Sequence, residues 1–537
     1  MPPLMDQDLQ SIQEVRTLVT KARDAFLRYK EFSQEQVDRI VAAMAEAGFK
    51  ASERLARMAV EETKYGKVGD KIIKNQFATR DLYEFIKNLK TVGVIREDAK
   101  NKILEIAEPM GVVAAVVPTT NPTSTAMFKC IIALKARNAI VVSPHPRAQN
   151  CTQEAVHVMR QAAESAGAPA DLIHCLSLPT MEGTNELMRH RDIAVILATG
   201  GTGLVHAAYS AGKPAYGVGP GNVPVYIDRS ADIPKAVADA VAGKIFDWGT
   251  LCSSEQALVV DAPVADRVIE ELKKQKAYFL NDAEAGKVAK VLVTPDFHIN
   301  PEMVGQSPQR IASMAGFVVP EDTRVLVARL TGVGKQYPLS MEKLSPVFAL
   351  YIEDGWQKGC ERCIEVLNFG GRGHTLAIHA HDQEVIMQFA LKKPAFRIIV
   401  NSPSAMGAVG YTTELDPSMT LGCGSYGGNI TSDNIGPVHL INIKRVAWET
   451  KPLSMPRETG AWRPTLPAST SRAAEFPYQK ALSSAVSRKG PVKSMETPAD
   501  KPWLAGRESP ERKYGTSKMS GEQVDKIVSE FVKTRRK

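Results

Sequence analysis

"PMGVVAAVVPTTNPTSTAMFKCIIALKARNAIVVSPHP", residues 109–146, decides the fold. "GVVAAVV" is a continuous apolar run of strand length, "TTNPT" breaks it, a helical stretch follows, and "NAIVVSP" is a second β-rich run. Working outward, "IAVILATG", "VPVYID", "QALVV" and "RIIVNS" are further short strands, alternating with helical stretches such as "AVHVMRQAAESAG". Strands alternating with helices point to doubly wound α/β sheets. Upstream, the first ~90 residues place apolar side chains at three- and four-residue spacing, with a capping box at Ser33 and Gln36, and read as helices. "GPVHLINIKRVAWET" is a late strand.

The chain has 537 residues, more than one ordinary core can serve, so two or more domains are expected. No apolar run approaches the ~20 residues of a membrane helix, and the opening "MPPLMDQDLQSIQEVRTLV" lacks the pattern of a secretion signal. Seven cysteines without framework spacing suit a reducing compartment. The net charge of +8 is a property of the tail. Residues 451–537 hold 18 Lys+Arg against 9 Asp+Glu, leaving 49 against 50 in the rest, so no basic face for nucleic acid is indicated.

From about residue 452 the chain is rich in Pro, Ser, Lys and Arg and reads as a flexible linker, 451–517. Residues 518–537 then read as a short amphipathic helix: Ser520 and Gln523 form a capping box, and Val524, Ile527, Val528, Phe531 and Val532 share one face. Such a helix cannot bury its own stripe and needs a partner.

Candidate chemistry begins at "FDWGTLCSSEQALVV", 246–260. Cys252 stands among Gly249, Thr250, Ser253 and Ser254, which cannot fill a core but leave room for a substrate to reach a nucleophilic thiol. Thiolate character there calls for a following helix N-terminus or nearby donors. Asn121, between Pro118 and Pro122, has an amide able to donate into a site; the ordinary alternative is a local turn bond. "AVILATGGTGLVHAA" runs strand, Gly200-Gly201-Thr202-Gly203, helix, which lets backbone N–H groups approach a phosphate. Cys360 and Cys363 form a C-x-x-C, but with Trp356, Ile364 and Leu367 they fall on one helical face, and core packing is expected. Cys130, Cys151, Cys175 and Cys423 offer no ligand set, and no metal site is expected.

Together "PMGVVAAVVPTTNPTSTA", "SPHPRA", "ATGGTGLV", "GVGPGNVPVYID", "CSSEQ", "EKLSPV" and "GRGHTLAIH", in this order, resemble the aldehyde dehydrogenase superfamily, specifically its CoA-acylating branch. The resemblance implies an NAD-binding domain (1–97 and 111–217), a catalytic domain (218–427), an oligomerisation arm (98–110 and 428–450), and a homo-oligomer. It makes Cys252 the nucleophile and Asn121 the oxyanion amide. Thr119, Pro144, His145, Thr199, Gly200, Gly201, Thr202, Gly203, Gly219 and Glu342 become cofactor-binding positions, Glu342 as the group that holds the nicotinamide ribose. Thr120, Thr250, Leu251, Ser253 and His374 would line the site.

Hydrolytic members of the family carry a base at the start of "E-L-G-G-K", where this chain has "GVGPGN" with Val218 at the matching place. Water, with a pKa of ~16, is a poor nucleophile without such a base, whereas a thiol of pKa ~8.5 is already a few per cent thiolate at neutral pH. The resemblance therefore implies oxidation of a short aliphatic aldehyde, acetaldehyde or propionaldehyde, with NAD and coenzyme A. It also implies that the tail is an encapsulation peptide, directing the enzyme to the shell or core enzymes of a bacterial microcompartment; a basic tail resting on anionic lipid and a plain solubilising extension are the rival readings of that segment. Rival readings keep the fold with a phosphate or water acceptor, make the chain an inactive microcompartment partner, or give Cys252 an acyl transfer without redox chemistry.

Overall fold

The computed structural model describes residues 6–451 and Leu453. The linker and terminal helix expected beyond residue 453 lie outside the described residues. Helices Gln7–Tyr29, Gln34–Lys50, Ser52–Thr63 and Val68–Gln76 occupy the first stretch, as their periodicity predicts. Ser33 and Gln36 close the expected capping box.

Residues 109–146 fold as predicted. Val112–Val116 and Ala139–Ser143 are parallel neighbours joined through helix Pro122–Lys135. Every residue of that helix is buried. The helix is covered on all sides, with Gln34–Lys50, Phe77–Asp81 and Gln149–Ser165 packed around it. The five-stranded parallel sheet runs Ile173–Cys175, Ala139–Ser143, Val112–Val116, Ile193–Thr199, Ala215–Val218. Its order reverses between Val112–Val116 and Ile193–Thr199, the kind of switch point at whose carboxyl ends such sheets bind ligands. Lys129, buried in the central helix, ties both strands at that point through the Val116 and Leu197 carbonyls at 2.7 and 2.9 Å.

A second, seven-stranded parallel sheet runs Ala277–Phe279, Val325–Arg329, Val347–Glu353, Glu255–Asp261, Val223–Ile227, Gly373–His379, Ala395–Val400. Residues 219–222 carry the chain from the last strand of the first sheet to the second. A three-stranded antiparallel sheet joins Gly93–Asp98, Ile103–Pro109 and Ile441–Ala447. It starts earlier than the expected 98–110, because "GVIRED" pairs with the next strand although neither of its faces is apolar. Its last strand occupies only Ile441–Ala447 of the 428–450 stretch. Among the described residues no helix is long and apolar enough to cross a membrane.

Cys360 and Cys363 lie buried on helix Trp356–Phe369, packed with Tyr226, Tyr351 and Phe389, which is the packing role expected.

Candidate active site

Two sets of loop ends meet at the junction of the large sheets. From the carboxyl ends of the five-stranded sheet come Thr119 to Asn121, Pro144 and His145, Thr199 to Gly203, and Gly219. From the amino ends of the seven-stranded sheet come Gly221, Cys252, Glu342 and His374.

The Cys252 turn is shaped by its small residues. Phe246–Gly249 is a tight turn in which Asp247 and Trp248 both take left-handed backbone angles, φ 49° and 52°. Non-glycine residues there are strained, a condition found at functional sites. Thr250 is buried and donates its hydroxyl to Asp247 at 2.5 Å. Leu251 is buried, whereas Cys252 is half-buried. Ser253 is fully enclosed and spends its hydroxyl on the Ala405 carbonyl at 3.1 Å, so it packs the turn where a lining role was expected.

Asn121 stands at the N-cap of helix Pro122–Lys135 but makes no side-chain cap bond. Its amide N–H₂ instead donates to the Thr120 hydroxyl at 3.1 Å and to the Thr250 carbonyl at 3.3 Å. That second bond joins the two loops. The amide oxygen accepts from Lys74 at 2.5 Å.

The loop after Val218 closes on the other side of the cysteine. A Cβ placed on Gly221 would lie 2.1 Å from the Cys252 carbonyl oxygen and 3.1 Å from His374 Cγ, so only glycine permits this approach. Gly221 N–H donates to Glu342 at 2.9 Å. Val218 itself is buried.

Burial dominates the electrostatics. It pushes the Cys252 thiol up to about 12, with Glu342 and Cys423 adding and Arg397 opposing. Of the two sources of thiolate character, a following helix N-terminus is not the one found here. Strand Glu255–Asp261 follows the cysteine, held between Val223–Ile227 and Val347–Glu353, so the thiol rests protonated. Burial also lifts Glu342 to about 7, against the Gly221 hydrogen bond and Lys244. His374 is fully buried; desolvation, then Arg397, pull it down to about 3, so its ring is neutral. Its Nδ1 faces the Thr375 hydroxyl at 2.9 Å, and its Nε2 is enclosed without a partner. Lys74 falls to about 8, through burial that Asp247 offsets.

The residues expected to hold a dinucleotide form an open cradle. A Cβ on Gly201, Gly203 or Gly219 would meet nothing within 4 Å, and the Thr199 hydroxyl is buried without a partner. Helix Thr202–Tyr209 begins at that loop, presenting backbone N–H groups. These features fit a phosphate-bearing cofactor. His145 is exposed, and its Nδ1 accepts from Arg147 N–H at 3.1 Å in a local turn. Beside Leu251 lies a small cavity of about 20 Å³, lined by Ile73, Lys74, Phe77, Leu251, Met406, Val409 and Met419 among others.

Sequence reasoning missed Lys71, Lys74 and Asp247. Two lysines three apart on a short helix look like a solvated face, and only their burial at 2% and 4% exposure reveals otherwise.

A profile described as "Aldehyde dehydrogenase family" matches residues 4–288. The chain is 46% identical over 442 residues to the bifunctional aldehyde-alcohol dehydrogenase AdhE of Escherichia coli K12, an alignment covering 81% of this chain and 50% of that protein. It thus spans about half the length of such curated relatives. The structure of an acetylating aldehyde dehydrogenase from Geobacillus thermoglucosidasius aligns with TM-score 0.83 and 54% identity, covering 85% of this chain and all of that one. A propionaldehyde dehydrogenase from the Clostridium phytofermentans fucose utilisation bacterial microcompartment aligns with TM-score 0.73 and 28% identity over 81% of this chain and 97% of that one.

Proposed function

The chain belongs to the aldehyde dehydrogenase family, and from that premise we propose that it oxidises a short aliphatic aldehyde, acetaldehyde or propionaldehyde, to the acyl-CoA. The observation that carries the choice of acceptor is the loop 217–222. It lies against the Cys252 backbone so closely that Gly221 tolerates no side chain, and none of its residues bears a carboxylate. The acetylating relative of G. thermoglucosidasius supports the same acceptor.

The residues act in sequence. The aldehyde enters beside Leu251, where apolar side chains line a small cavity of about 20 Å³ that must open to admit it. Cys252 sulfur adds to the carbonyl carbon. A thiol held near 12 leaves little standing thiolate, so its proton passes to solvent water at the half-buried sulfur as the carbon–sulfur bond forms and the negative charge comes to rest on oxygen. The Asn121 amide, releasing its 3.1 Å bond to the Thr120 hydroxyl, and the Cys252 backbone N–H receive that oxyanion, one such donor contributing ~3 kcal/mol, about a hundredfold in rate. Thr199 to Gly203, Gly219 and Glu342 would hold NAD, which when bound would supply the hydride acceptor for conversion of the Cys252 adduct to a thioester. The thiol of coenzyme A then takes the acyl group from Cys252. A thioester product conserves the energy of oxidation, so the reaction also runs in reverse.

The tail reading extends the proposal to a microcompartment, supported by the origin of the C. phytofermentans neighbour and by the one-faced apolar pattern of 518–537. Retention on shell proteins after removal of residues 518–537 would refute that part. The acceptor is tested by NADH formation at its absorbance band, with a panel of aldehydes, each with and without CoA. Sustained multiple turnover lacking CoA would refute the proposal.

A further inference from the structure

Lys71 and Lys74 project from one face of helix Val68–Gln76 into the interior and converge on Asp247. The carboxylate is saturated. One oxygen accepts from Lys67 N–H at 2.7 Å; the other accepts from Lys71 at 2.9 Å, from Lys74, and from the Thr250 hydroxyl at 2.5 Å. Room for it is made by Gly66, where a Cβ would lie 1.9 Å from the Asp247 oxygen. The left-handed angles of Asp247 and Trp248 turn the carboxylate inward beside the nucleophile turn.

One lysine is enough to neutralise this carboxylate, and Lys71 does so while anchoring the Thr120 carbonyl at 3.0 Å. Lys74 has two further partners, the Asn121 amide oxygen at 2.5 Å and the Thr250 hydroxyl at 3.2 Å. An ammonium has three N–H donors and no acceptor, and here all three are engaged. A flipped Asn121 would set its N–H₂ against that cation. The ammonium therefore dictates which end of the amide faces the nucleophile turn.

We propose that Lys74, clamped by Asp247, is a positioning residue for Asn121: it holds the amide oxygen back, presents the N–H₂ toward the Cys252 turn, and polarises the amide as a donor to the aldehyde oxygen. This rests on Asn121 being the oxyanion donor of the proposed reaction. The experiment is a double-mutant cycle in the full-length chain, measuring NADH formation with CoA for wild type, Lys74→Met, Asn121→Ala and the double variant. The expected result is that Lys74→Met lowers kcat at least tenfold and shifts the KM for NAD less than threefold. In the Asn121→Ala background the same change costs less than threefold, because the amide it serves is gone. Lys74→Gln, which keeps a donor toward the amide oxygen, recovers at least threefold over Lys74→Met. Penalties that multiply in the double variant would overturn the positioning role, as would failure of both Lys74 variants to fold. A wild-type protein inactive with CoA would instead refute the proposed function, and that arm is read first.

Discussion

Replacing Gly221 by alanine tests how closely the loop rides over Cys252, the proposed nucleophile. The new Cβ would sit 2.1 Å from the Cys252 carbonyl oxygen and 3.1 Å from its carbonyl carbon. Relief to van der Waals contact requires about 1 Å of movement by the loop or the cysteine turn, and misplacement of that size costs ~100-fold in rate. Movement of the loop also stretches the 2.9 Å bond from Gly221 N–H to Glu342, a charge-assisted bond contributing ~1.5–3 kcal/mol when the carboxylate is ionised. Gly221→Ala is therefore expected to lower kcat/KM for the aldehyde about 100-fold, measured as NADH formation at saturating CoA. Gly219→Ala is the matched control. Its Cβ meets nothing in the ligand-free chain, so melting temperature is expected to hold while the KM for NAD rises about tenfold through loss of the open cradle. Gly221→Ala activity within threefold of wild type would refute the close approach, and an unchanged KM for NAD in Gly219→Ala would move the cofactor elsewhere.

A thiol near 12 titrates far above neutrality, so iodoacetamide labelling of Cys252, read by peptide mass spectrometry, is expected to climb about tenfold per pH unit from 7 to 10; a plateau below pH 9 contradicts this. Glu342 raises that thiol, so Glu342→Gln lowers the thiol pKa and speeds labelling at pH 8 severalfold, through a larger thiolate fraction; slower labelling would reverse the sign assigned. Leu251→Ala enlarges the apolar cavity and is expected to raise kcat/KM for butyraldehyde relative to acetaldehyde about tenfold, the worth of one methylene in a hydrophobic pocket; an unchanged ratio would place the aldehyde outside the cavity.

The βαβ unit of residues 109–146 was legible because its signals are local. Apolar runs of strand length, a proline-bounded break and a helical interval all lie within 38 residues. Strand Gly93–Asp98 was not, since "GVIRED" carries three charges and pairs only through backbone bonds to Ile103–Pro109. Strand Ala215–Val218 hid in a glycine-rich stretch that reads as a turn. At the site, the small residues around Cys252 announced a reachable thiol. Its protonation depends on burial and on groups far along the chain, Glu342 and Cys423 raising it and Arg397 lowering it, which no window of sequence contains. The Lys74–Asp247 pair, 173 positions apart, was invisible for the same reason.

Glu342 is the carboxylate that tests the choice of acceptor drawn from loop 217–222. It faces the cysteine closely enough to raise its thiol, and with its own value lifted to about 7 it is partly ionised at neutral pH, as a hydrolytic base would be. Proximity and titration alone would favour water. Its attachments argue otherwise. One carboxylate oxygen is committed to Gly221 N–H, and Lys244 and Lys343 stabilise its charged form from the protein side. A base that holds the loop in place while ionised loses that hold when it takes a proton from water, whereas a residue gripping a ribose accepts hydroxyl hydrogen bonds without changing charge. The geometry thus suits Glu342 to binding. With no carboxylate in loop 217–222, the acyl group of the proposed reaction would wait on Cys252 for a nucleophile that needs no base, and a thiol fits that need.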